Sequence, residues 1–295
     1  MQQKEGDFLE AGAAISLIRK EKNISIKDLC GDQISRSAYT RFVNGETDTS
    51  TSNFLFFLDK LHVSFNEFML IKEAYQQTER ELYLIRLQKY FLNGDVKNIS
   101  ILKKECELLS EHKNDIFNHL TLLCEVYLCR IKNIPVDADV TKMLKNYLMD
   151  VDTWTHYEIL LFNNSMFIYD INFIEIVLNR ATRGLDRYKS IRGYTNESFG
   201  MLTNVLNIYL SSKELHKANK LFKFLSDEIL PEEFVRERLH LTFFEGIIML
   251  VLHKNTDGKN KIDQVIKTCE FLNMTTNQTG YKNLYKFFSN LYGLS

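Results

Sequence analysis

Arg36, Ser37, Thr40 and Arg41 lie at helical spacing in a segment bounded by turn and capping residues. Guanidinium and hydroxyl groups at these positions form one polar face, which can hydrogen-bond to base edges and phosphates. Residues 24–45 as a whole have the pattern of two short helices joined by a tight turn. This pattern is typical of a helix-turn-helix, whose second helix enters the major groove of DNA. The segment therefore predicts a protein that reads DNA.

Capping residues delimit the two predicted helices. Ser25, followed by Asp28, resembles a capping box and would begin the first helix, which Gly31 would end. Ser35 would cap the second helix, and Gly45 would follow its last turn. The predicted inward positions of this segment are Ile26, Leu29, Cys30, Ile34, Tyr39, Phe42 and Val43.

Flanking patterns complete a predicted five-helix domain over residues 8–70. A first helix would carry Arg19 at its C-terminal end. Ser52 would cap a fourth helix, and Ser64 with Glu67 would form the capping box of a fifth. The predicted DNA-binding residues are Arg19, Lys27, Arg36, Ser37, Tyr39, Thr40 and Arg41.

The domain resembles the XRE/Cro-type helix-turn-helix. Ile34-Ser35-Arg36-Ser37-x-x-Thr40-Arg41-Phe42-x-x-Gly45-Glu46 is similar to the recognition stretch of the Rgg/GadR/MutR family of Gram-positive regulators. Such domains often place Gln near the start of that helix and Glu after the Arg-Phe pair, where this chain has Ala38 and Val43. Ala38 cannot make the bidentate adenine contact of Gln. Base reading would then fall to Arg36, Ser37 and Tyr39 or Thr40, or would depend more on DNA shape.

Composition and charge fit this reading. The 295 residues are 45% hydrophobic and include only 2 Pro, which favours a folded, mostly helical protein. A net charge of -1 gives no overall attraction to nucleic acid. Residues 15–45, however, carry a net charge of +3, and only this window has to face phosphate.

Other classes of function find little support in the sequence. Met1 to Asp7 is polar and the apolar run 246–252 is too short to span a bilayer, so we expect a cytoplasmic protein without membrane contact. The chain has no Gly-rich phosphate loop, nucleophile elbow or HExxH motif, which predicts no enzyme and no cofactor. No metal site is predicted, because the cysteines and histidines lack paired-ligand spacing. The closest to a ligand set are Cys106, His112, His119 and Cys124.

From about residue 81 to 295 the pattern predicts an array of helix pairs. The clearest unit runs from about Phe199 to Pro231 and fits a tetratricopeptide repeat of ~34 residues. Tyr209 takes the aromatic position of its first helix, and Ala218 with Phe222 supply the A-x-x-x-F step of the second. The polar stretch 71–80 is the predicted linker to the helix-turn-helix domain. The predicted fold is thus all-α, with a TPR-like solenoid after residue 80.

First helices of such repeats line a concave face. Amides on an apolar helix cost stability unless they are used, and their paired donor and acceptor match the backbone of an extended peptide. Exposed or capping asparagines remain the alternative. The predicted peptide-binding residues are Trp154, Asn163, Asn164, Thr203, Asn204 and Asn207.

The segment Trp154-x-x-Tyr157-Glu158-Ile159-x-Leu161-Phe162-Asn163-Asn164 resembles the C-terminal domain of the Rgg family. The resemblance implies a homodimer that binds promoter DNA and a short apolar signalling peptide, with RNA polymerase as a further candidate partner. One alternative is a helix-turn-helix regulator whose repeats bind a protein. Another is a helical scaffold that binds no DNA.

Overall fold

The computed structural model describes residues 9–73, 79–110, 115–188, 192–227, 230, 232–253 and 256–294. These residues form helices and turns but no strand, which confirms the predicted all-α class. The chain divides into two compact units, Met1–Asp95 and Val96–Ser295. Residues 74–78 of the predicted linker lie outside the described residues. The first unit continues beyond that linker and includes the helix Glu79–Leu92.

Within its described residues, the first unit contains the five predicted helices and one more. They are α1 (Ala11–Glu21), α2 (Ile26–Cys30), α3 (Arg36–Val43), α4 (Thr51–Leu61), α5 (Phe65–Lys72) and α6 (Glu79–Leu92). The buried core of α1–α5 is organised around Phe57, whose ring lies 5.9 Å from that of Tyr39 and 6.0 Å from that of Phe42. Aromatic side chains of α3 and α4 thereby fix the position of α3 on the domain.

Gly12 brings α1 directly against the C-terminal end of α3. A Cβ at this position would overlap the carbonyl oxygen of Phe42 and lie 2.8 Å from the Cα of Val43. Only a residue without a side chain permits this approach of two backbones. The sequence places Gly12 on the apolar face of α1, and the structure explains why no larger residue can stand there.

Side-chain caps set the helix boundaries of this unit. Ser25 and Ser35 cap α2 and α3 as predicted, and Ser64 forms a full capping box with Glu67. The prediction for α4 is wrong, because Ser50 caps this helix, accepting a 3.2 Å hydrogen bond from the backbone amide of Asn53. Ser50, Thr51 and Ser52 can all cap a helix, so residue type alone does not decide among them.

The second unit is an array of ten α-helices in its described ranges. They are α7 (Val96–Leu109), α8 (Ile116–Lys132), α9 (Ala138–Asp150), α10 (His156–Ser165), α11 (Ile171–Tyr188), α12 (Arg192–Ser211), α13 (Leu215–Asp227), α14 (Val235–Val251), α15 (Asp257–Phe271) and α16 (Thr275–Tyr292). The first helix of each pair packs against the first helix of the next pair. These helices are, in order, α8, α10, α12, α14 and α16, and together we call them the inner row. This arrangement is the TPR-like solenoid predicted from the sequence.

Small residues allow close helix pairing in the array. Ala218 of α13 is completely buried, as the repeat pattern predicts. In the next pair, a Cβ at Gly246 of α14 would lie 2.7 Å from the carbonyl oxygen of Gly258 of α15. Pro231, the predicted end of the clearest repeat, lies outside the described residues.

Candidate functional site

The polar face of α3 is exposed in the structure. Arg36, Ser37, Thr40 and Arg41 all face solvent, whereas the opposite face of the helix is buried in the core. The Thr40 hydroxyl donates a 2.9 Å hydrogen bond to the Arg36 carbonyl oxygen. Ser35 satisfies the backbone amide of Ala38 at the start of the helix. The arrangement gives a rigid helix with two guanidinium groups and two hydroxyl groups on one accessible surface.

Two predicted DNA-binding residues stabilise the domain instead. Tyr39 is 2% exposed, so the prediction that it reads a base is wrong: its ring belongs to the core against Phe57. Arg19 is half-buried and donates hydrogen bonds from Nε to the Tyr39 hydroxyl (3.0 Å) and from Nη1 to the Ile24 carbonyl (2.7 Å). Arg19 therefore ties α1 to α3 and to the turn before α2.

The basic surface beside α3 consists of lysines. Lys27 on α2 and Lys20 on α1 are exposed. Lys22 is tied to the end of α4, because its Nζ donates a 2.7 Å hydrogen bond to the Leu61 carbonyl. Of the basic residues in the +3 window, Lys20, Lys27, Arg36 and Arg41 thus remain available to phosphate.

The inner row brings the predicted asparagines together. Asn204 of α12 donates a 2.7 Å hydrogen bond from Nδ2 to Oδ1 of Asn163 on α10. Residues far apart in the sequence thereby form one amide pair across neighbouring first helices. Asn207 lies one turn further along α12, and its Oδ1 is buried without a hydrogen-bond partner in the described structure.

Three other predicted peptide-binding residues are occupied within the protein. Trp154 is 1% exposed and donates its indole N–H to the Leu148 carbonyl at 3.2 Å, so it is a core residue and not a ligand contact. Thr203 is likewise buried, with its hydroxyl bonded to the Gly200 carbonyl. Asn164 accepts a hydrogen bond from the Tyr127 hydroxyl at 2.7 Å. The amide of Asn164 therefore joins α10 to α8.

Unpaired polar atoms concentrate on three helices of the inner row. Within the described ranges, every buried side-chain nitrogen or oxygen without a hydrogen-bond partner belongs to α12, α14 or α16. They are Ser198 Oγ, Asn207 Oδ1, His240 Nδ1, Tyr281 OH and Ser289 Oγ. The rings of His240 and Tyr281 lie 5.2 Å apart. The sequence predicts neither residue as a site, because both occupy positions that the apolar helix pattern assigns to the core.

A second cluster links α8, α9 and α10. His119 is 2% exposed, and its Nδ1 shares a 2.5 Å hydrogen bond with the Tyr157 hydroxyl. Glu158 accepts from the Tyr147 hydroxyl at 2.8 Å and from the backbone amide of Thr155 at 2.7 Å. Burial lowers the pKa of His119 to about 4, although Asp115 and Glu158 act in the opposite direction. The imidazole is accordingly neutral at neutral pH.

The described residues contain no group of three or more His, Cys, Asp or Glu side chains that could hold a metal ion. Of the four residues considered for such a site, Cys106 and Cys124 are completely buried, and His112 lies outside the described residues. A hydrogen bond that the Cys124 thiol donates to Cys106, together with burial, raises the pKa of Cys124. Among the described helices, none combines the length and apolar character needed to cross a membrane.

Solved structures share this fold over nearly the whole chain. A Listeria monocytogenes EGD-e protein described as a transcriptional regulator superposes with a TM-score of 0.88 at 18% identity, covering 98% of this chain and 100% of its own. The Streptococcus dysgalactiae SHP pheromone receptor Rgg2 gives 0.75 at 21% identity, covering 94% and 99%. The PrgX/iCF10 complex gives 0.74 at 16% identity, covering 98% and 92%.

A family profile provides the assignment. The profile for the C-terminal domain of the HTH-type transcriptional regulator Rgg matches residues 100–283, which is more than half of the chain. The matched region contains the amide pair of α10 and α12. These regulators are not enzymes, in agreement with the sequence prediction. The chain belongs to the Rgg family of helix-turn-helix transcriptional regulators.

Proposed function

We propose that this protein is a cytoplasmic homodimer that binds a promoter palindrome through α3 and responds to a short, mostly apolar peptide bound on the inner row. The observation that supports DNA binding is that the polar face of α3 is exposed, while its aromatic face is buried in the core. Arg36 and Arg41 are the proposed main contacts, with Ser37 and Thr40 beside them and Lys27 on phosphate. Arg19 contributes by positioning Tyr39, and hence α3.

The peptide-binding part is supported by the amides of α10 and α12. The Asn163–Asn204 pair presents further donors and acceptors, and Asn207 Oδ1 has no partner within the described structure. A peptide N–H directed at Asn207 would remove the cost of that buried oxygen. Among proteins of the same fold, Rgg2 is named as a pheromone receptor and PrgX was solved with iCF10.

Coupling between the two activities would require two arrangements of the dimer. A two-fold dimer on DNA places its recognition helices about one helical turn apart, roughly 34–36 Å. Peptide changes promoter occupancy only if it binds one arrangement more tightly than the other. A coupling of about 1–3 kcal/mol gives a graded response, whereas complete reversal of the populations would need about a ten-thousandfold preference. RNA polymerase is the proposed further partner at the promoter.

The test is a selection of genomic DNA fragments by the full-length protein at low salt, with and without a mixture of short apolar peptides. We expect enrichment of one two-fold-symmetric site, and a change in that enrichment when peptide is present. Arg41→Ala serves as the control variant, because it removes an exposed cation and we expect the fold to stay intact.

Each part of the proposal has its own result that would contradict it. Absence of any enriched duplex would overturn the DNA-binding assignment of α3. Enrichment that no peptide alters, together with peptide affinities unchanged by Asn207→Ala, would overturn the inner row as the peptide site. An elution volume at the monomer position, at the concentration used for selection, would overturn the homodimer.

A further inference from the structure

A groove of about 550 Å³ lies between α11 and α13. Its walls come from the second helices of two successive pairs, with Tyr209 of α12 between them. None of the asparagines of the inner row lines this groove. Its volume is within the range of small-molecule sites, roughly 300–1,000 Å³. The groove is thus a second concavity, separate from the residues assigned to peptide.

One side of the groove is apolar. Leu178 of α11 and Leu221 of α13 line it, and Leu221 is buried. Phe224 completes this side and is 45% exposed, so a large apolar ring borders the opening. A hydrocarbon ligand placed here would remove apolar surface from water, at about 25 cal/mol for each Å² covered.

Basic residues of α13 also line the groove, next to Leu221 and Phe224 of the same helix. Lys217 is already neutralised, because its Nζ lies 3.2 Å from Glu175 and 3.7 Å from Glu214. Lys220 is exposed and forms no ion pair with any described residue. His216 lies on the same exposed surface. The carboxylates of Glu175 and Glu214 thus equal the two lysines in number, and Lys220 is the lining lysine without a carboxylate partner among the described residues.

From this combination we infer that the α11–α13 groove binds an amphiphilic monocarboxylate, with the carboxylate at Lys220 and the hydrocarbon chain along Leu178, Leu221 and Phe224. A single negative charge matches the single lining lysine without a carboxylate partner among the described residues. A dianion such as phosphate would place its second charge close to Glu175 and would gain nothing from the apolar side. Burial raises the pKa of Tyr209 to about 12, so this lining residue keeps its hydroxyl proton.

Decanoate is a suitable probe, and its binding to the full-length protein is measured by calorimetry without DNA or peptide. Decyltrimethylammonium, with the same chain and the opposite charge, and inorganic phosphate are the comparison ligands. We expect saturable binding of decanoate and much weaker binding of the other two. Because neither the peptide nor the operator enters this measurement, its result is independent of the proposed function.

Two lysines of the same helix provide matched variants. Lys220→Glu should weaken decanoate binding at least about tenfold, since it replaces the carboxylate's partner with a like charge. Lys223 is also exposed on α13 but does not line the groove, so Lys223→Glu should change the affinity by less than about twofold. Unchanged melting temperatures would verify the fold of both variants.

The inference is overturned by any of three results. These are the absence of saturable decanoate binding, equal weakening by the two lysine variants, and equal affinity for decanoate and decyltrimethylammonium. Binding of phosphate alone would likewise exclude an amphiphile and indicate a simple anion site.

Discussion

Helices α3 and α12 carry the two proposed binding surfaces, and they differ in whether their polar side chains are exposed or buried. In α3 the buried face is aromatic and the polar face is entirely exposed. In α12 the polar residues lie partly within the packed face: Thr203 is buried and bonded to its own helix, and Asn207 Oδ1 is buried without a partner. Within the described structure, α3 therefore has no buried polar side-chain atom that lacks a partner, whereas α12 has such an atom in Asn207.

This difference follows from what each surface would bind. A DNA duplex is stiff and presents base edges outside the protein, so the reading side chains must project from a well-packed domain. A flexible peptide brings unpaired backbone groups, which can satisfy amides inside a groove. Leaving a buried acceptor unpaired costs the free protein about 1–3 kcal/mol, and a ligand that donates to it recovers that free energy.

The largest expected effect is loss of the α1–α3 contact. Gly12→Ala places a methyl group against the backbone of Phe42 and Val43, and should destabilise the first unit by about 3 kcal/mol and abolish operator binding. Calorimetric melting of the full chain measures the change. Gly200→Ala is the control in α12, where a Cβ would meet nothing within 4 Å; it should raise stability by up to about 1 kcal/mol. Equal effects of the two substitutions would contradict the close packing of α1 on α3.

Arg41→Ala tests whether the exposed face of α3 contributes to DNA binding without contributing to stability. Operator affinity should fall about tenfold to a hundredfold, because a guanidinium contact to a base or phosphate is lost. The melting temperature should not change, since the side chain is exposed. Lys72→Ala, at the end of α5, is the charge-matched control and should bind normally. A fall in melting temperature that accounts for the lost binding would make Arg41 a structural residue.

The pH dependence of stability should originate in the second unit. His119 has a pKa of about 4 when folded and about 6.5 when unfolded, so the unfolded chain binds the proton more readily. Stability is therefore unaffected above pH 6.5 and decreases as the pH falls from 6.5 towards 4, by about 2 kcal/mol at pH 5. Urea unfolding at pH 7 and pH 5 measures this loss. Burial also lowers the pKa of His240 to about 4, so this residue should contribute a similar loss. His119→Gln should therefore remove about half of the total pH dependence, and an identical pH dependence in the variant would assign the effect to other groups.

Local signals in the sequence were sufficient for the first unit. Capping residues such as Ser35 and Ser64 act within one helical turn, and helical spacing separates Arg41 from Phe42. Tyr39 shows where this fails: helical spacing predicts an inward ring, but only the contact with Arg19 from α1 shows that its hydroxyl is held inside the domain and does not reach a base. Residue type alone also did not decide among Ser50, Thr51 and Ser52 as the cap of α4.

For the second unit, the sequence predicts the helical-repeat architecture better than it predicts the binding residues. The pairing of Asn163 with Asn204 joins helices that are far apart in the sequence, and no local pattern encodes it. Trp154 precedes Asn163 in the same predicted segment, yet its indole turns into the core towards Leu148. In an array where each helix has neighbours on several sides, helical spacing alone does not reveal which polar residue meets solvent.

The smallest expected effect distinguishes Asn164 from Asn207, which the sequence predicts to have the same peptide-binding role. Asn164→Ala removes the acceptor of the Tyr127 hydroxyl and should cost about 1 kcal/mol of stability. Asn207→Ala removes an oxygen that has no partner in the described structure, and should not lower stability, because the cost of the unpaired acceptor is removed with it, while peptide binding should weaken. Urea unfolding and peptide titration of both variants measure the two quantities. If Asn207→Ala proves as destabilising as Asn164→Ala and leaves peptide affinity unchanged, the oxygen is satisfied inside the free protein, and the contrast between α3 and α12 no longer holds.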